Sequence, residues 1–463
     1  MLKRHGIGSV ILGSPTASPP LWVMEMHPDA FRVRRSGKRL TYGGRRGYCH
    51  SHDGFVERCR IMTAAMADHY ANHPSVIGWQ IDNEFGTRCY CPVCQRKYQA
   101  WLKQKYGTLD ALNEAWGTVF WSHIYTDWSQ IPVPLDDGWE NSYGPNPGLD
   151  LDFRRFSSDA IVAFQQAQLD IVRERCPNHF VTHNTGFGLQ DVNFFELAEP
   201  LDHISLDRYP RDFSDLRTDV DVPASAMMYD TMRGLKGKSF WLTEMQGGPF
   251  GWRTISAGLR PGELRLWTYQ AIAHGAEAMI YFRWRTARFG AEEYSHGVLH
   301  HDGRPRRRYR EMQQAGHELG RIGDQLLGST LRPRVALVLS YDTRFSFQNQ
   351  PNHPDFDYMT LLRDYYAVLH RRNIAVDIVT PCSDLEDYEV VLSPALYVVS
   401  DQAAKNLRSY VEGGGKLLLT ARSGVKGETN AVVNMPLPGL LAEISGTEVQ
   451  DYDVLPTGID VTV

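Results

Sequence analysis

The 463-residue sequence is 42% hydrophobic and 11% aromatic, which is enough apolar material for a large core and more than one domain. Its net charge is −5 and its basic residues are scattered, so it lacks the concentrated positive stripe with which proteins bind nucleic acid. No apolar run is long enough to cross a bilayer, and the opening stretch has no secretory-signal pattern, so we expect a cytoplasmic protein with no membrane partner.

Up to about residue 325, short β-type runs alternate with helical patterns, which is typical of repeated β/α units. Each predicted strand ends in polar or charged residues. In a (β/α)₈ barrel the carboxyl ends of the parallel strands meet on one face, and that face carries the active site. The predicted strands are IGSVILGS (7–14), SVIGWQIDN (75–83), HFVTHNTG (179–186), HISLDRYP (203–210), SFWLTEMQ (239–246) and AMIYFRWR (278–285).

These runs account for six of the eight strands that such a barrel needs, and the first begins at residue 7. At roughly 30 residues per unit, about two units are absent upstream. We therefore predict an α/β protein whose residues 1–325 form a catalytic TIM-type barrel with its first two strands missing. Either the chain is truncated or the barrel is unusual.

A second pattern follows the basic connection HHDGRPRRRYREM. The apolar runs RVALVLS, IAVDIVT, YEVVLSPALYVVS and KLLLTA are separated by helical stretches, which predicts a small doubly wound, flavodoxin-like α/β domain over residues 332–463. No phosphate-binding glycine fingerprint follows its first strand, so a nucleotide site has little support. We interpret this region as an interaction or assembly domain.

Two carboxylates lie at the ends of predicted barrel strands. Glu84 follows WQIDN and Glu244 follows FWLT. Glycoside hydrolysis needs such a pair, because one carboxyl protonates the leaving oxygen while the other attacks or stabilises the anomeric carbon. Either residue could instead be a surface carboxylate that merely ends a strand. The neighbouring Asn83 and Trp252 favour a sugar site, since an amide and a flat aromatic face suit sugar hydroxyls and rings.

Three cysteines follow Glu84 closely. Cys89, Cys91 and Cys94 form a C-x-C-x-x-C pattern, and Cys49, in the loop after the preceding strand, could supply a fourth ligand. Four thiolates suit a closed, tetrahedral zinc site that stabilises structure without taking part in chemistry. The alternative is four reduced cysteines without a metal. The odd total of seven argues against a secreted disulfide framework.

Several motifs along most of the chain, taken together and in this order, resemble glycoside hydrolase family 42, the β-galactosidases. The resemblance implies a retaining hydrolase that releases terminal, non-reducing β-D-galactose, with Glu84 as general acid/base and Glu244 as nucleophile. The motifs are LGSPTASPPLW, DNEFG, the cysteine-rich segment, LNEAWGTVFWS, NPGLDLDFRRFSSD, LDRYP, FWLTEMQ, PGELRLWTYQAIAHGAEAMIYFRWR and GAEEYSHG.

The same resemblance implies further roles. Asn83 would bind the sugar 2-hydroxyl, and Glu293 and His296 would contact other hydroxyls, although the adjacent Glu292 leaves that register open. It also implies a structural zinc at the four cysteines, no organic cofactor, a homotrimer built through the α/β domain, and a small C-terminal β-domain that this sequence lacks. The residues implied to line the galactose pocket are Arg46, Trp121, Tyr209 and Trp252.

Two other readings stay open. β-D-Fucose and α-L-arabinopyranose share the orientation of the galactose ring hydroxyls, so the enzyme could be an α-L-arabinopyranosidase or β-D-fucosidase. The missing strands also allow a catalytically dead, truncated carbohydrate-binding protein. In an active enzyme Glu244 must be ionised while Glu84 holds a proton, so we expect their surroundings to separate the two pKa values.

Overall fold

The computed structural model describes residues 2–13, 17–136, 144–186, 191–211 and 220–454. Ser14, the last residue of the first predicted strand, lies outside these ranges. The strands are β1 (Ser9–Gly13), β2 (Val76–Ile81), β3 (Phe180–Thr185), β4 (His203–Arg208), β5 (Phe240–Gln246), β6 (Ala276–Phe282), β7 (Val335–Val338), β8 (Val376–Val379), β9 (Val390–Ser393) and β10 (Lys416–Leu419).

The α-helices vary from a single turn to 29 residues. They are α1 (Leu21–Met26), α2 (Asp53–Tyr70), α3 (Pro92–Tyr106), α4 (Leu109–Trp116), α5 (Pro147–Arg175), α6 (Phe194–Ala198), α7 (Val222–Lys236), α8 (Glu263–Ala273), α9 (Arg307–Leu326), α10 (Tyr341–Asn349), α11 (Tyr358–His370), α12 (Asp401–Glu412) and α13 (Ala442–Ser445). Among the described residues, no helix is both long and apolar enough to span a bilayer.

The first sheet confirms the six predicted barrel strands. Its order is β1-β2-β3-β4-β5-β6, and every neighbouring pair is parallel. Sequential parallel strands joined through helices are the arrangement of a (β/α)₈ barrel, here represented by six strands. Because all the strands run the same way, their carboxyl ends share one edge, and Glu84 and Glu244 both lie there.

The helix α2 shows how the sequence builds one β/α unit. Its buried residues Phe55, Cys59, Thr63 and Ala67 recur every four positions and so lie on one face of the helix. The ring nitrogen Nδ1 of His52 accepts the N–H of Phe55 at 3.2 Å and caps the first turn. The helix leads into β2, where all residues but one are buried, as expected for a parallel strand covered on both faces.

The second sheet has the order β10-β9-β7-β8 and is also entirely parallel. The chain moves outward from β7 in both directions, which is the doubly wound pattern predicted for this region. Side chains from the strands and from α12 form its core, including Ala336, Val338, Val391 and Leu407.

The chain divides into two compact units. One contains Met1–Cys94 and Ser157–Arg332, and the other contains Gln95–Phe156 and Pro333–Val463. Within the second unit, Arg155 forms a two-pronged ion pair with Asp342, through Nε–Oδ1 at 2.9 Å and Nη2–Oδ2 at 2.8 Å. This pair ties the end of the first segment to α10, which gives a physical reason why the segment packs with the doubly wound sheet.

Candidate active site

Glu84 lies just beyond β2, where the chain turns sharply. The ladder with β1 continues one residue past the strand, since the N–H of Asp82 donates to the carbonyl of Gly13 at 3.1 Å. Asp82 and Glu84 then have positive φ values of 51° and 49°, a region that non-glycine residues rarely adopt. This turn buries the Glu84 side chain at the carboxyl edge of the sheet.

Side chains of β3 hold the backbone of this turn. Asn184 accepts the N–H of Glu84 through Oδ1 at 3.0 Å, and His183 accepts the N–H of Phe85 through Nε2 at 3.2 Å. The other ring nitrogen of His183 bonds to the carbonyl of Ile81 at 2.6 Å, which requires the neutral ring with its proton on Nδ1. Burial lowers the pKa of His183 to about 4, which keeps the ring neutral.

One carboxyl oxygen of Glu84 accepts several hydrogen bonds. Oε2 lies 2.5 Å from Nη2 of Arg46, 3.1 Å from Nη2 of Arg45 and 3.1 Å from Nδ2 of Asn83. Two guanidinium groups and an amide therefore hold this oxygen in the free protein. The oxygen can face a leaving group only after other acceptors, such as sugar hydroxyls, have taken some of these donors.

Glu244 reaches the same site from β5. The pairing of β4 with β5 shifts register just before Asp207, and that of β5 with β6 shifts again after Leu242, so the strand is irregular around Glu244. Such irregularities re-aim side chains near active sites. The hydroxyl of Tyr209 donates to Oε2 of Glu244 at 2.6 Å.

The charge state of Glu244 is close to balance at neutral pH. Burial raises its pKa to about 7; the hydroxyl of Tyr209 opposes this rise, and the negative charge of Glu84 adds to it. The positive charge of Arg45 also favours the ionised form. A carboxylate that attacks a sugar must be ionised. This value therefore predicts that kcat/KM falls as the pH is lowered below about 7.

The two carboxylates line one cavity of about 330 Å³. Its described lining also includes Asn83, Tyr209 and Trp252, three of the predicted sugar-binding residues. A wider cavity of about 840 Å³ shares Glu84 and Trp252 with it and is also lined by Arg46. The smaller cavity, which we call the inner cavity, places two carboxyls beside aromatic faces. Carboxyls can bind sugar hydroxyls, and an aromatic face can pack against a sugar ring.

Three predicted residues are not in the described lining of either cavity. Trp121 belongs to the second unit, where its side chain is exposed. Glu292 takes part in the described lining of both cavities, whereas Glu293 and His296 are in neither lining. Glu292 also pairs with Arg283 at 3.2 Å. The sugar contacts of Trp121, Glu293 and His296 stay predictions.

Sequence reasoning missed four residues of this site. Arg45 stands next to the predicted Arg46, and Phe250 stacks on Tyr209 with ring centroids 4.1 Å apart. Asn184 and Asp207 are buried beneath the carboxylates, on β3 and β4. The rule that strand ends carry the site could have found the last two, because both lie in polar residues that end predicted strands.

The four predicted cysteines come together beside this site. Cys49, Cys89, Cys91 and Cys94 are all buried, and their Sγ atoms lie within 4.8 Å of one another. The Cys49–Cys94 distance is 3.4 Å, Cys49–Cys91 is 3.6 Å and Cys91–Cys94 is 3.8 Å. This group could hold a metal ion.

Known proteins match this chain over nearly its whole length. The family model described as "Beta-galactosidase" (glycoside hydrolase family 42) matches residues 1–322, and that described as "Beta-galactosidase trimerisation domain" matches residues 333–463. The β-galactosidase BgaA of Clostridium cellulovorans is 37% identical over 446 residues, covering 96% of this chain and 67% of the relative. BgaA of a Thermus species is 37% identical over 476 residues, covering 99% and 72%.

Solved structures agree with the sequence comparisons. The β-galactosidase of Halorubrum lacusprofundi superposes with a TM-score of 0.93 at 35% identity, covering 99% of this chain and 70% of that one. The β-galactosidase of Bacillus circulans sp. alkalophilus gives a TM-score of 0.94 at 32% identity, covering 99% and 68%.

Proposed function

Because this chain belongs to glycoside hydrolase family 42, the β-galactosidases, we propose that it hydrolyses terminal, non-reducing β-D-galactosides with retention of configuration. The observation that carries this proposal is the pair Glu84 and Glu244 lining one small cavity at the carboxyl edge of the barrel sheet. Retaining hydrolysis needs two carboxyls facing one anomeric centre, and this cavity supplies them.

In the first step Glu244 attacks the anomeric carbon while Glu84 protonates the leaving oxygen. Arg45 and Arg46 bind the Glu84 carboxyl in the free protein, and sugar hydroxyls that accept their hydrogen bonds would release this carboxyl to face the leaving oxygen. Asn83 is then free to donate to the 2-hydroxyl. This transfer of hydrogen bonds from the Glu84 carboxyl to the sugar couples substrate binding to the release of the general acid.

In the second step the glycosyl–enzyme ester on Glu244 is hydrolysed. Glu84 gave up its proton in the first step, so it now accepts a proton from the attacking water. Tyr209, bonded to Oε2 of Glu244 at 2.6 Å, keeps the nucleophile oriented in both steps. Trp252 supplies the flat face on which the galactose ring lies, and its place in the cavity lining supports this role.

We propose that the four cysteines hold a structural zinc ion. In a tetrahedral site with Zn–S bonds near 2.3 Å, the sulfur atoms are about 3.8 Å apart. The observed separations of 3.4 to 3.8 Å fit that geometry. Such an ion would fix the loop before α2, which carries Arg45 and Arg46, against the segment that follows Glu84.

The assembly and location are also proposals. A catalytic domain over residues 1–325 and an assembly domain over 332–463 would form a homotrimer, as the description of the second matching family supports. None of the seven cysteines, all of which lie in the part of the chain that the structure describes, forms a disulfide, which supports a reducing compartment such as the cytoplasm.

The test is hydrolysis of an aryl β-D-galactoside by the purified chain, its Glu244→Gln variant and a Glu174→Gln control on the exposed side of α5. Cleavage by the parent and the control, but not by Glu244→Gln, supports the proposal. An aryl α-L-arabinopyranoside is measured in parallel, and a higher kcat/KM for it would contradict the galactoside assignment. A soluble parent that binds galactose but cleaves neither substrate would support the non-catalytic reading.

A further inference from the structure

Asp207 is a buried carboxylate that the two-step reaction does not use. It lies near the end of β4, is only 3% exposed, and is the register partner of Glu244 on β5. Burial raises its pKa well above the usual range, and the charges of Glu244 and Glu84 raise it further. A third carboxyl beside the reacting pair is unfavourable unless it is hydrogen-bonded, so its partners indicate its role.

Those partners connect Asp207 to the turn that carries Glu84. The hydroxyl of Thr243 donates to Oδ1 of Asp207 at 3.2 Å, and Nδ2 of Asn184 donates to Oδ2. The same Nδ2 donates to Oδ1 of Asn83 at 2.9 Å. The amide oxygen of Asn184 accepts the backbone N–H of Glu84 at 3.0 Å. One fully buried amide therefore connects Asp207 with both residues of the reactive turn.

The acceptors around Asn184 determine which way its amide points. One end of an amide side chain only accepts hydrogen bonds and the other only donates them. With Asp207 accepting at the nitrogen end, the oxygen is left to face the N–H of Glu84. The reversed amide would set NH₂ against that N–H and would remove the N–H donor from Oδ1 of Asn83. Asp207, Asn83 and the N–H of Glu84 thus together select the orientation in which Asn184 can bind the turn.

The turn needs such support. Glu84 has a φ of 49°, a left-handed conformation that is unfavourable for any residue with a Cβ atom and persists only when its surroundings impose it. Gly186, the residue directly after β3, also limits the space around this turn, because a Cβ on it would lie 2.6 Å from Oε1 of Glu84. The backbone at the end of β3 therefore approaches the Glu84 carboxyl closely.

We propose that Asp207 and Asn184 are positioning residues that act as a pair to hold Glu84 where it can protonate the leaving group. Neither belongs to the described lining of the inner cavity, so both act through Glu84. The inference rests on the proposed function and deepens it, since it names what places the general acid.

A misplaced general acid has a kinetic signature that general damage to the fold lacks. A leaving group with a high pKa, such as the glucose of lactose, needs the proton in the transition state. A dinitrophenolate departs without it. Loss of Glu84 positioning therefore slows lactose cleavage far more than cleavage of a dinitrophenyl β-galactoside.

The experiment measures kcat/KM for both substrates in Asp207→Ala, Asp207→Asn and Asn184→Ala. In Asp207→Ala and Asn184→Ala we expect a loss of about 100-fold for lactose and of at most about fivefold for the dinitrophenyl galactoside. Asp207→Asn retains most lactose activity, because its amide oxygen still accepts from Asn184. The double alanine variant is no slower than the slower single variant, since both changes break one link.

The matched control is Ser205→Ala on the same strand as Asp207. Ser205 is fully buried, and its hydroxyl lies 2.5 Å from that of Thr182 on β3, so its loss also removes a polar contact between the same two strands. We expect this variant to lower the melting temperature without changing the ratio of the two kcat/KM values. An equal loss for both substrates in Asp207→Ala, or a changed ratio in the control, overturns the proposal.

Two other outcomes are decided separately. If Asp207→Ala does not fold, Asn184→Ala tests the same link from its other end. If the parent cleaves neither substrate, the proposed function fails. The crystal structure of Asp207→Ala then tests whether Asp207 holds the Glu84 turn in place. A Glu84 backbone that leaves the left-handed region supports the claim, whereas an unchanged turn contradicts it.

Discussion

Replacing Glu244 with glutamine is expected to make the protein's stability less dependent on pH. The usual pKa of this side chain is 4.5, and burial raises it to about 7 in the folded protein. The protonated carboxyl is therefore favoured by folding. Its stabilising contribution is complete below about pH 4.5 and is lost as the pH rises through 7. Glutamine remains neutral throughout and still offers an oxygen to Tyr209.

The size of the effect follows from the two pKa values. Because one pKa unit corresponds to 1.36 kcal/mol, the rise from 4.5 to about 7 corresponds to about 3 kcal/mol. Relative to the parent, Glu244→Gln should therefore gain up to about 3 kcal/mol of unfolding free energy between pH 4.5 and pH 8. The gain has this sign because only the parent must bury a charged carboxylate at high pH.

Urea unfolding at several pH values, followed by tryptophan fluorescence, measures this gain. The control is Glu174→Gln, in which an exposed carboxylate on α5 is lost instead. The control should follow the parent across the pH range. If Glu244→Gln also follows the parent to within about 0.5 kcal/mol, the carboxyl is not held in a raised-pKa environment and the reasoning is refuted.

Three further predictions concern the site. Tyr209→Phe removes the hydroxyl that opposes the rise in the pKa of Glu244, so the acid limb of kcat/KM should move to higher pH; an unchanged limb in a pH–rate profile would contradict this. Gly186→Ala should lower kcat/KM by about tenfold or more, because the new methyl group displaces the Glu84 carboxyl. Gly316→Ala on α9, where a Cβ meets nothing within 4 Å, should leave the rate unchanged, and equal rates in both glycine variants would refute the crowding argument. Cys91→Ser should abolish bound zinc, as measured by elemental analysis. It should lower the melting temperature while changing the kcat of the folded protein little; an unchanged melting temperature without zinc would exclude the stabilising role.

The sequence was sufficient to predict the strands and the position of two carboxylates at strand ends. The spacing of apolar residues in a sequence reflects which side chains are buried. Parallel strands covered on both faces, such as β2, therefore stand out in the sequence as apolar runs with polar ends. The cysteine cluster was equally readable, since three ligands are close in sequence and the fourth lies in the preceding loop. These features depend on local spacing and on the general rule that sites lie at strand ends.

What the sequence did not reveal depends on contacts between distant residues. The link from Asp207 through Asn184 to Glu84 spans three strands, and no local pattern marks it. The packing of residues 95–156 with the doubly wound sheet depends on pairs such as Arg155 with Asp342, which are 187 residues apart. That Glu292 lines both cavities also needed coordinates, because adjacent residues of a loop point in different directions.

The central claim is that Glu244 is the nucleophile and Glu84 the acid/base of a retaining β-galactosidase. It is tested most directly by trapping the glycosyl–enzyme with an activated 2-deoxy-2-fluoro-β-D-galactoside and locating the label by peptide mass spectrometry. We expect a single 2-deoxy-2-fluorogalactosyl group on the peptide that contains Glu244. A label on Glu84, or hydrolysis of the galactoside with inversion and no label at all, would contradict it.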